Sequence, residues 1–332
     1  MVEVRVVAEL GADDQHTVAS FLNSARETDH AHLNDHLHID LAQGPRPGFV
    51  GVIATVDDDS DDDSDADHDT DGGDSGDVVG YAQASRGNEG FVVDAIVSSR
   101  FPGDVHEART QLLQHVVAAL PEGSAVTWWT HGDPGSEDTA ASLGLHPGRT
   151  LLQMRRTLPV PATTDLAVRP FRPGADEQQW LEVNNTAFGW HGEQGGWDLT
   201  TLQQREREPW FDAEGFLLHE RDHRLAGFCW TKLHPPAVHE HVHEHEHEHG
   251  HGHGQVDGEI YVIAVHPDFH GLGLGRALTL AGLQSLHRAG ATHAMLYVDG
   301  ANTAAIGLYR DLGFEVSHTH QAFVTDPGAD TP

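Results

Sequence analysis

A glycine-rich segment, HGLGLGR at 270–276, is the densest chemical signal in this sequence. It follows an apolar segment at 259–265 and leads into an amphipathic stretch at 275–289, so it predicts a turn between a strand and a helix. Glycines let the backbone turn its N–H groups toward one point, where a helix N-terminus adds partial positive charge. Such a turn can hold a pyrophosphate, and Arg276 can add a direct phosphate contact.

Two other interpretations of the glycine-rich turn stay open at this point. One is a purely structural loop. The other is a dinucleotide-binding fold, because a strand precedes the turn and Asp299 ends the next predicted strand. That fold turns directly after its strand, however, whereas six residues, 266–271, lie here between the strand and Leu272. A predicted hairpin, rather than a βαβ unit, also precedes the strand.

The glycine-rich turn is part of a longer series of motifs. It is similar to the pattern Gln/Arg-x-x-Gly-x-Gly/Ala, except that His270 stands where Gln or Arg is usual. It is followed by Asn302-x-x-Ala305-x-x-Leu308-Tyr309-x-x-Leu312-Gly313-Phe314. Together these motifs resemble the GNAT acetyltransferases.

Longer segments of the sequence narrow the resemblance to one group within these acetyltransferases. They read NNTAFGWHGEQGGW, FCWTKLHP, GEIYVIAVHP, GLGRALTLAGL and MLYVDGANTAAIGLYRDLGF. In a chain with two similar halves, they resemble the mycothiol synthases, which are tandem GNAT enzymes of actinobacteria. The resemblance is close over 165–325 and only architectural over 1–157.

The resemblance implies an activity. Acetyl-CoA would be the co-substrate, and its acetyl group would pass to the cysteinyl amine of 1D-myo-inositol 2-(L-cysteinylamino)-2-deoxy-glucopyranoside in the last step of mycothiol synthesis. No metal would be required. Two other classes stay open: a GNAT enzyme for another amine or a peptide N-terminus, and a non-enzymatic metal buffer that uses a His-rich segment at 239–253.

The resemblance also assigns residues to the cofactor. Backbone groups of Ile263, Ala264 and Val265 would bind the pantetheine arm and the thioester oxygen. The pyrophosphate would be held by the whole turn, that is by His270, Gly271, Leu272, Gly273, Leu274, Gly275 and Arg276. The adenylyl and pantetheine side would be flanked by Asn302, Thr303, Ala304, Ala305, Ile306 and Gly307.

Amine acetylation also needs a deprotonated amine and a proton for the departing thiolate. The resemblance implies Glu259 as the general base, directly or through water, and Tyr309 as the general acid. The alternatives are an exposed glutamate at a strand end and a packed tyrosine in a helix. For the sugar–inositol acceptor, the resemblance implies contacts from Asp35, Glu193, Lys232, Tyr297 and Glu259 itself.

Three other conspicuous side chains are predicted to be packing residues. Cys229 is the single cysteine and lies among apolar neighbours in a predicted strand, so we expect a buried thiol rather than a nucleophile. Trp197 and Trp230 are more typical of packing than of a platform for a sugar.

The elements that must position these residues occur twice along the chain. Each half predicts a strand with an arginine (Arg5 or Arg169), a helix, three strands, an amphipathic helix, a strand, a short helix and a final strand. The offsets indicate a duplication: Arg169 follows Arg5 by 164 positions, and Glu259 follows Asp94 by 165. The four longer predicted helices cover 13–28, 104–120, 175–188 and 275–289.

We therefore predict an α/β fold with mixed α+β sheets, arranged as two tandem GNAT-like domains. The predicted boundaries are 1–157 and 165–325, with a linker at 158–164 and a tail at 326–332.

The glycine-rich turn is missing from the first half, where SSRFPGDVHEAR follows Ala95, Ile96 and Val97. The resemblance assigns those three residues to a second acetyl-CoA, whereas the missing turn favours a structural or acceptor-closing role.

The charge of the chain limits the kinds of partner that it can bind. The chain has 332 residues, with 52 Asp and Glu against 19 Lys and Arg, and a formal net charge of −33. Twelve aspartates lie in a predicted flexible insertion at 57–77. In a second predicted insertion, 234–253, four glutamates alternate with histidines at 239–253. Without these sixteen carboxylates, the net charge of −33 becomes −17. This surface disfavours nucleic acid and anionic membranes and is typical of proteins that work at high salt. With no signal peptide or long apolar segment, we expect a cytoplasmic monomer that binds a small molecule.

Overall fold

The chain forms two units, each built on a twisted sheet covered by helices. The structure, a computed structural model, describes residues 2–8, 10–29, 33–34, 37–38, 40–41, 48–56, 76–87, 90–130, 132, 134–189, 194–234 and 256–325. The first unit comprises Met1–Gly148 with Gln321–Pro332, and the second comprises Arg149–His320. The His-rich run at 239–253, the tail at 326–332 and all but the last two residues of the acidic insertion lie outside the described residues.

The sheet of the first unit follows the order of the chain. Its strands are β1 (Val2–Val7), β2 (Val50–Val56), β3 (Asp77–Arg86), β4 (Phe91–Val97) and β5 (Val126–Thr130). Neighbours are antiparallel except for the parallel pair of β4 and β5. Its helices are α1 (Ala12–Thr28), α2 (Val105–Ala118) and α3 (Ser136–Ser142).

The second unit repeats this plan. Its strands are β6 (His146–Thr157), β7 (Arg169–Pro170), β8 (Phe216–Arg221), β9 (Arg224–Leu233), β10 (Asp257–Val265) and β11 (His293–Asp299), in the sheet order β6-β11-β10-β9-β8-β7. The pair of β10 and β11 is parallel. Its helices are α4 (Glu177–Ala187), α5 (Leu199–Glu206), α6 (Leu274–Arg288) and α7 (Thr303–Asp311). The four longer predicted helices thus agree with α1, α2, α4 and α6 to within two residues at each end.

The compact units differ from the halves predicted along the sequence. Residues 151–157 of β6 pair with β11 in the second unit, although they belong to the first half of the chain. Conversely, residues 321–324 of β12 (Glu315–Val324) pair with β5 in the first unit. Each unit therefore includes a strand segment from the other half of the chain. The backbone N–H and C=O groups of a strand edge need hydrogen-bond partners, and a strand from either half of the chain can supply them.

The strand registers repeat the same plan in both units. Gly80 lies opposite Val97, and Gly227 lies opposite Val265. A Cβ at Gly227 would come within 2.8 Å of a carbon of Leu278 on α6, so glycine lets this helix pack closely on β9.

One counterpart suggested by the sequence offsets is wrong. Glu259 lies opposite Lys232, five residues after Gly227, whereas the residue opposite the position five after Gly80 is Val92. Glu259 therefore corresponds to Val92 and not to Asp94. The anchor residues Val97 and Val265 are 168 positions apart rather than 165, and the β-bulge at Tyr261, which adds one residue to β10, lowers this offset only to 167 for the positions before it.

The sheet of the second unit carries a different core on each face. One face packs against α6 and α7 through an aliphatic cluster that contains Ile260, Leu278 and Leu286. The other face carries an aromatic cluster in which Trp230 is stacked on Phe216 with ring centroids 4.2 Å apart. Residues on β10 alternate between these two faces, which decides where each predicted site residue points.

Candidate active site

Strands β10 and β11 part after a short parallel ladder. The pairing ends at the Ile260–Leu296 pair. Beyond it, β11 stays paired with β6, and β10 stays paired with β9 after the bulge at Tyr261. The residues predicted to bind the pantetheine arm, 263–265, therefore have one backbone edge in the sheet and the other edge turned toward the gap. An extended amide-containing arm can hydrogen-bond to such an edge as an additional strand would.

The two predicted catalytic side chains lie on opposite faces of β10. Ile260 packs in the aliphatic cluster together with Cys229 and Tyr309. Glu259 precedes Ile260, so its side chain points to the other face, which carries Trp230 and the aromatic cluster. A group held in the gap between β10 and β11 can thus be approached from both faces.

Glu259 is buried, with 6% of its surface exposed, so an exposed strand-end glutamate is the wrong interpretation. Lys232 lies opposite it on β9. Nε2 of His234 lies 2.9 Å from Oε2 of Glu259. A carboxylate held this way can accept a proton from an ammonium group if its own hydrogen bonds keep it ionised.

Tyr309 lies on α7 and is 7% exposed. Its ring centroid is 5.9 Å from that of Phe314. Burial raises the pKa of the Tyr309 hydroxyl, and the neighbouring Cys229 thiol raises it further. The phenol therefore keeps its proton at neutral pH. Tyr309 packs in the core and still has a proton to donate.

The glycine-rich turn has the geometry of an anion cradle. Gly271 and Gly273 adopt φ angles of +77° and +74°, which side chains other than glycine rarely adopt. A Cβ on either residue would meet nothing within 4 Å, so the space above the turn is open. Helix α6 begins there with Gly273 as its N-cap, and no side chain caps it. Its first N–H groups are available to a phosphate, and the exposed Arg276 lies in the first turn.

His270 is tied to the end of β10. Its Nε2 donates a hydrogen bond to the carbonyl of Val265 at 3.0 Å, while the residue itself is exposed. The ring thus links the turn to the strand predicted to bind pantetheine. The residues present fit a pyrophosphate-bearing cofactor such as acetyl-CoA, whose thioester would supply the acetyl group.

The start of α7 offers mainly backbone to a cofactor. Asn302 caps the helix by accepting the N–H of Ala305 at 3.1 Å. The side chain of Ile306 packs in the aliphatic cluster. Thr303, Ala304 and Gly307 are exposed.

Lys232 is held by aromatic rings. Its Nζ lies 4.8 Å from the centroid of the Trp210 ring and 5.7 Å from that of Tyr261. Cations bind to the faces of such rings. Sequence reasoning missed Trp210, Tyr261 and His234, although the segment FCWTKLHP contains the last of these. The bulge that orients Tyr261 leaves no signature in a single sequence.

Tyr297 is the other predicted acceptor residue that the structure describes. It is 41% exposed, and its hydroxyl accepts a hydrogen bond from Nε2 of Gln153 at 2.9 Å. Because Leu296 packs in the aliphatic cluster, Tyr297 points to the same face of the sheet as Glu259. Asp35 and Glu193 lie outside the described residues.

The predicted packing residues are confirmed. Cys229 is fully buried, and burial raises the pKa of its thiol to about 12. Trp230 is fully buried, and Trp197 is 8% exposed with its ring 5.6 Å from that of Trp180. A buried neutral thiol is a poor nucleophile.

In the first unit, carboxylates of the chain accept hydrogen bonds from groups in β4 and just after it. The N–H and hydroxyl of Ser99 donate to Asp29 at 3.1 and 2.6 Å, and the Ser99 hydroxyl lowers the pKa of that carboxyl. The N–H of Ala95 donates to Asp94 at 2.8 Å. The N–H of Ala95 is thus engaged by a carboxylate of the chain, so a cofactor arm would have to displace that carboxylate to bind this N–H.

Two further findings concern metal binding and membrane insertion. Among residues that the structure describes, no three His, Cys, Asp or Glu side chains are grouped to hold a metal ion. The helices in this same part of the chain are too short or too polar to cross a membrane.

Comparison with known proteins identifies the class. The model of the acetyltransferase (GNAT) family matches residues 178–314. A GCN5-related N-acetyltransferase from Sphaerobacter thermophilus has a similar fold, with a TM-score of 0.62 and 19% identity over 99% of this chain and 98% of that one. A tandem GNAT protein from the clavulanic acid biosynthesis pathway also gives 0.62, with 16% identity over 99% and 100%. The fold and the site define a tandem GNAT acetyltransferase, a class that uses acetyl-CoA.

Sequence relatives narrow the family. The mycothiol acetyltransferase of Acidothermus cellulolyticus is 37% identical over 90% of this chain and 86% of that one. That of Streptomyces coelicolor is 34% identical over 97% and 95%. That of Thermobispora bispora is 46% identical over 58% of this chain and 63% of that relative. The chain belongs to the mycothiol acetyltransferase family.

Proposed function

We propose that this enzyme transfers the acetyl group of acetyl-CoA to the cysteinyl amine of 1D-myo-inositol 2-(L-cysteinylamino)-2-deoxy-glucopyranoside, which yields mycothiol. The observation that carries the proposal is the gap between β10 and β11, with Glu259 on one face and Tyr309 on the other. Family membership over nearly the whole chain supports the choice of acceptor.

Cofactor binding is proposed at the gap and the turn. The backbone of Ile263, Ala264 and Val265 would hold the pantetheine arm along the open edge of β10. The turn at 270–276 and the first N–H groups of α6 would hold the pyrophosphate. The start of α7, 302–307, would border the arm and the adenylyl group mainly through backbone atoms. The left-handed glycines and the open space above them support this assignment.

The proposed reaction has one bond-forming step. Glu259 takes a proton from the acceptor ammonium, directly or through water, and the free amine attacks the thioester carbon. The C–N bond forms and the C–S bond breaks. Tyr309 donates its proton to the departing thiolate, and the proton that the newly acylated nitrogen must still lose returns through solvent to Tyr309, so that coenzyme A leaves as the thiol and one proton remains on Glu259. Its burial and raised pKa support this role, because the phenol is neutral at the pH of the cell.

Acceptor binding is proposed on the face that carries Glu259. Lys232 would bind hydroxyl groups of the sugar or inositol, and Tyr297 would do so from β11. The shared orientation of Tyr297 and Glu259 supports this arrangement. Asp35 and Glu193 are proposed as further acceptor contacts on the strength of the sequence resemblance alone.

Catalysis is assigned to the second unit. The counterpart of Glu259 in the first unit is Val92. Counting back from the turn LGL, which corresponds to LGF after α7, the counterpart of Tyr309 is the buried Ala140. The first unit therefore lacks both proton-transfer groups, which supports a structural or acceptor-closing role for it and a single cofactor site per chain.

We also propose that the enzyme acts as a cytoplasmic monomer on a small molecule, without nucleic acid, membrane or metal. Two GNAT-like units in one chain support the monomer. The charge of −33 opposes binding to polyanions. Acetyl-CoA is a metabolite of the cell interior, and proton transfer by side chains makes a Lewis acid unnecessary.

The test is an acetyl-transfer assay at high salt with the cysteinyl acceptor, an aminoglycoside, a polyamine and a peptide N-terminus. We expect kcat/KM to be highest for the cysteinyl acceptor. A broad specificity with this acceptor among the poorest would contradict the proposal. Deleting 239–253, with deletion of 57–75 as the matched control, should leave the rate unchanged. A loss of the rate on the first deletion alone would favour the metal-dependent alternative.

A further inference from the structure

His234 lies at the end of β9 and contacts the proposed base. Its Nε2 is 2.9 Å from Oε2 of Glu259, and its side chain is 30% exposed while that of Glu259 is 8% exposed. Its backbone N–H donates to the carbonyl of Asp257 at 2.9 Å, which fixes the residue to β10. The ring therefore reaches from the solvent side to a carboxylate that is almost fully buried.

The Glu259 carboxylate determines which atom is the donor in this hydrogen bond. An ionised carboxylate only accepts hydrogen bonds, so Nε2 carries the proton and donates it. The ring engages Oε2, so this oxygen is held in place and Oε1 is left to face a reacting group. The contact therefore acts on a property that a general base needs, which is to present a free carboxylate oxygen to the proton that it accepts.

Other charged groups surround the pair without replacing the hydrogen bond. Lys232 faces Glu259 across the strands, and its Nζ lies over the Trp210 ring. The Asp257 carboxylate is paired with Arg155 at 2.7 Å. Lys232 is a positive charge on the strand beside Glu259, and the opposite charges of the Asp257–Arg155 pair largely cancel each other.

We propose that His234 is a positioning residue for Glu259: its Nε2–H holds the carboxylate in one orientation toward the acceptor amine. This inference rests on the proposed role of Glu259 as the base. It assigns the histidine of the segment FCWTKLHP to the reaction, through Glu259 and without contact with the substrate.

The test compares H234A with H234Q, in which the side-chain amide can donate in place of Nε2. Assays contain a chelator, because histidine-rich segments bind metal ions. In H234A we expect kcat to fall about tenfold, since the buried carboxylate loses the donor that orients it. H234Q should restore most of kcat, and KM for acetyl-CoA should stay unchanged in both. H293Q, a half-buried histidine on β11, is the matched control.

Two results separate this role from a general loss of stability. In an E259Q background, adding H234A should cause less than about a twofold further loss, because the two residues act as one unit. The inference is overturned by an unchanged kcat in H234A, by an H234Q enzyme as impaired as H234A, or by losses that multiply in the double variant. These rates can be measured with any amine that the wild type acetylates, so failure of the proposed acceptor leaves this test decisive.

Discussion

Glu259 and Tyr309 lie on opposite faces of β10, where this strand parts from β11. A thioester in the gap can therefore receive an amine from the side of Glu259 and a proton for its sulfur from the side of Tyr309. The sheet itself separates the two proposed proton transfers, so the proposed base cannot take the proton of the proposed acid directly.

The first prediction concerns Glu259. We expect Glu259→Gln to lower kcat about 10²–10³-fold, because the amide keeps the shape but cannot accept the ammonium proton. Affinity for acetyl-CoA, measured by calorimetry, should stay unchanged, since Glu259 lies near the start of β10 whereas the turn follows the end of that strand. Asp257→Asn, two residues earlier on the same strand, is the control and should keep most of the rate. An unaltered rate of E259Q at neutral pH would remove Glu259 from its proposed role.

The second prediction concerns Tyr309. Tyr309→Phe should lower kcat about tenfold or more while leaving KM for both substrates nearly unchanged, because only the proton for the thiolate is lost. With an acetyl thioester of a more acidic thiol, the loss of kcat in Tyr309→Phe should be smaller, since such a thiol can leave as the thiolate without being protonated. Tyr297→Phe is the matched control and should change KM for the acceptor. Equal losses with both thioesters would assign Tyr309 to packing alone.

The third prediction concerns the contact of α6 with β9. A Cβ at Gly282 would lie 2.4 Å from Sγ of Cys229. Gly282→Ala should therefore lower the free energy of unfolding by about 1–3 kcal/mol, measured by urea unfolding. Adding Cys229→Ala should recover part of that loss by removing the sulfur. Cys229→Ala alone should keep kcat, because direct transfer needs no thiol nucleophile; loss of activity in a folded C229A would contradict this.

The fourth prediction concerns Glu206 on α5. Burial raises the pKa of this carboxyl to about 7, the charge of Glu177 adds to the rise, and Oε1 finds no hydrogen-bond partner within the described part of the chain. The folded state holds this proton more tightly than the unfolded state, whose carboxyl titrates near 4.5. The contribution is therefore favourable at low pH and is lost as the pH rises through about 7.

Glu206→Gln should remove this pH dependence. At pH 8 we expect the variant to be about 1 kcal/mol more stable than the wild type, a value reduced for partial exposure to solvent. The difference should be smaller at pH 5. Glu208→Gln serves as the control. A variant less stable than the wild type at pH 8 would contradict the assignment.

Local features of the site could be predicted from the sequence. The turn at 270–276 follows from glycine spacing, because residues with positive φ are chosen locally. The boundaries of α6 follow from its apolar period, and the motif around Tyr309 identifies the residue as a candidate acid. Even the burial of Cys229 was predictable from its apolar neighbours.

Only the tertiary structure decided how these features meet. The bulge at Tyr261 depends on pairing with β9, and the strand registers, which the sequence offsets do not reveal, make Val92 rather than Asp94 the counterpart of Glu259. The exchange of strand segments between the units depends on which edges remain open. The contact of His234 with Glu259 joins residues 25 positions apart on two strands. Hydrogen bonding between strands is indifferent to distance along the chain, so the residue types define the chemistry and the folded sheet defines which of them act together.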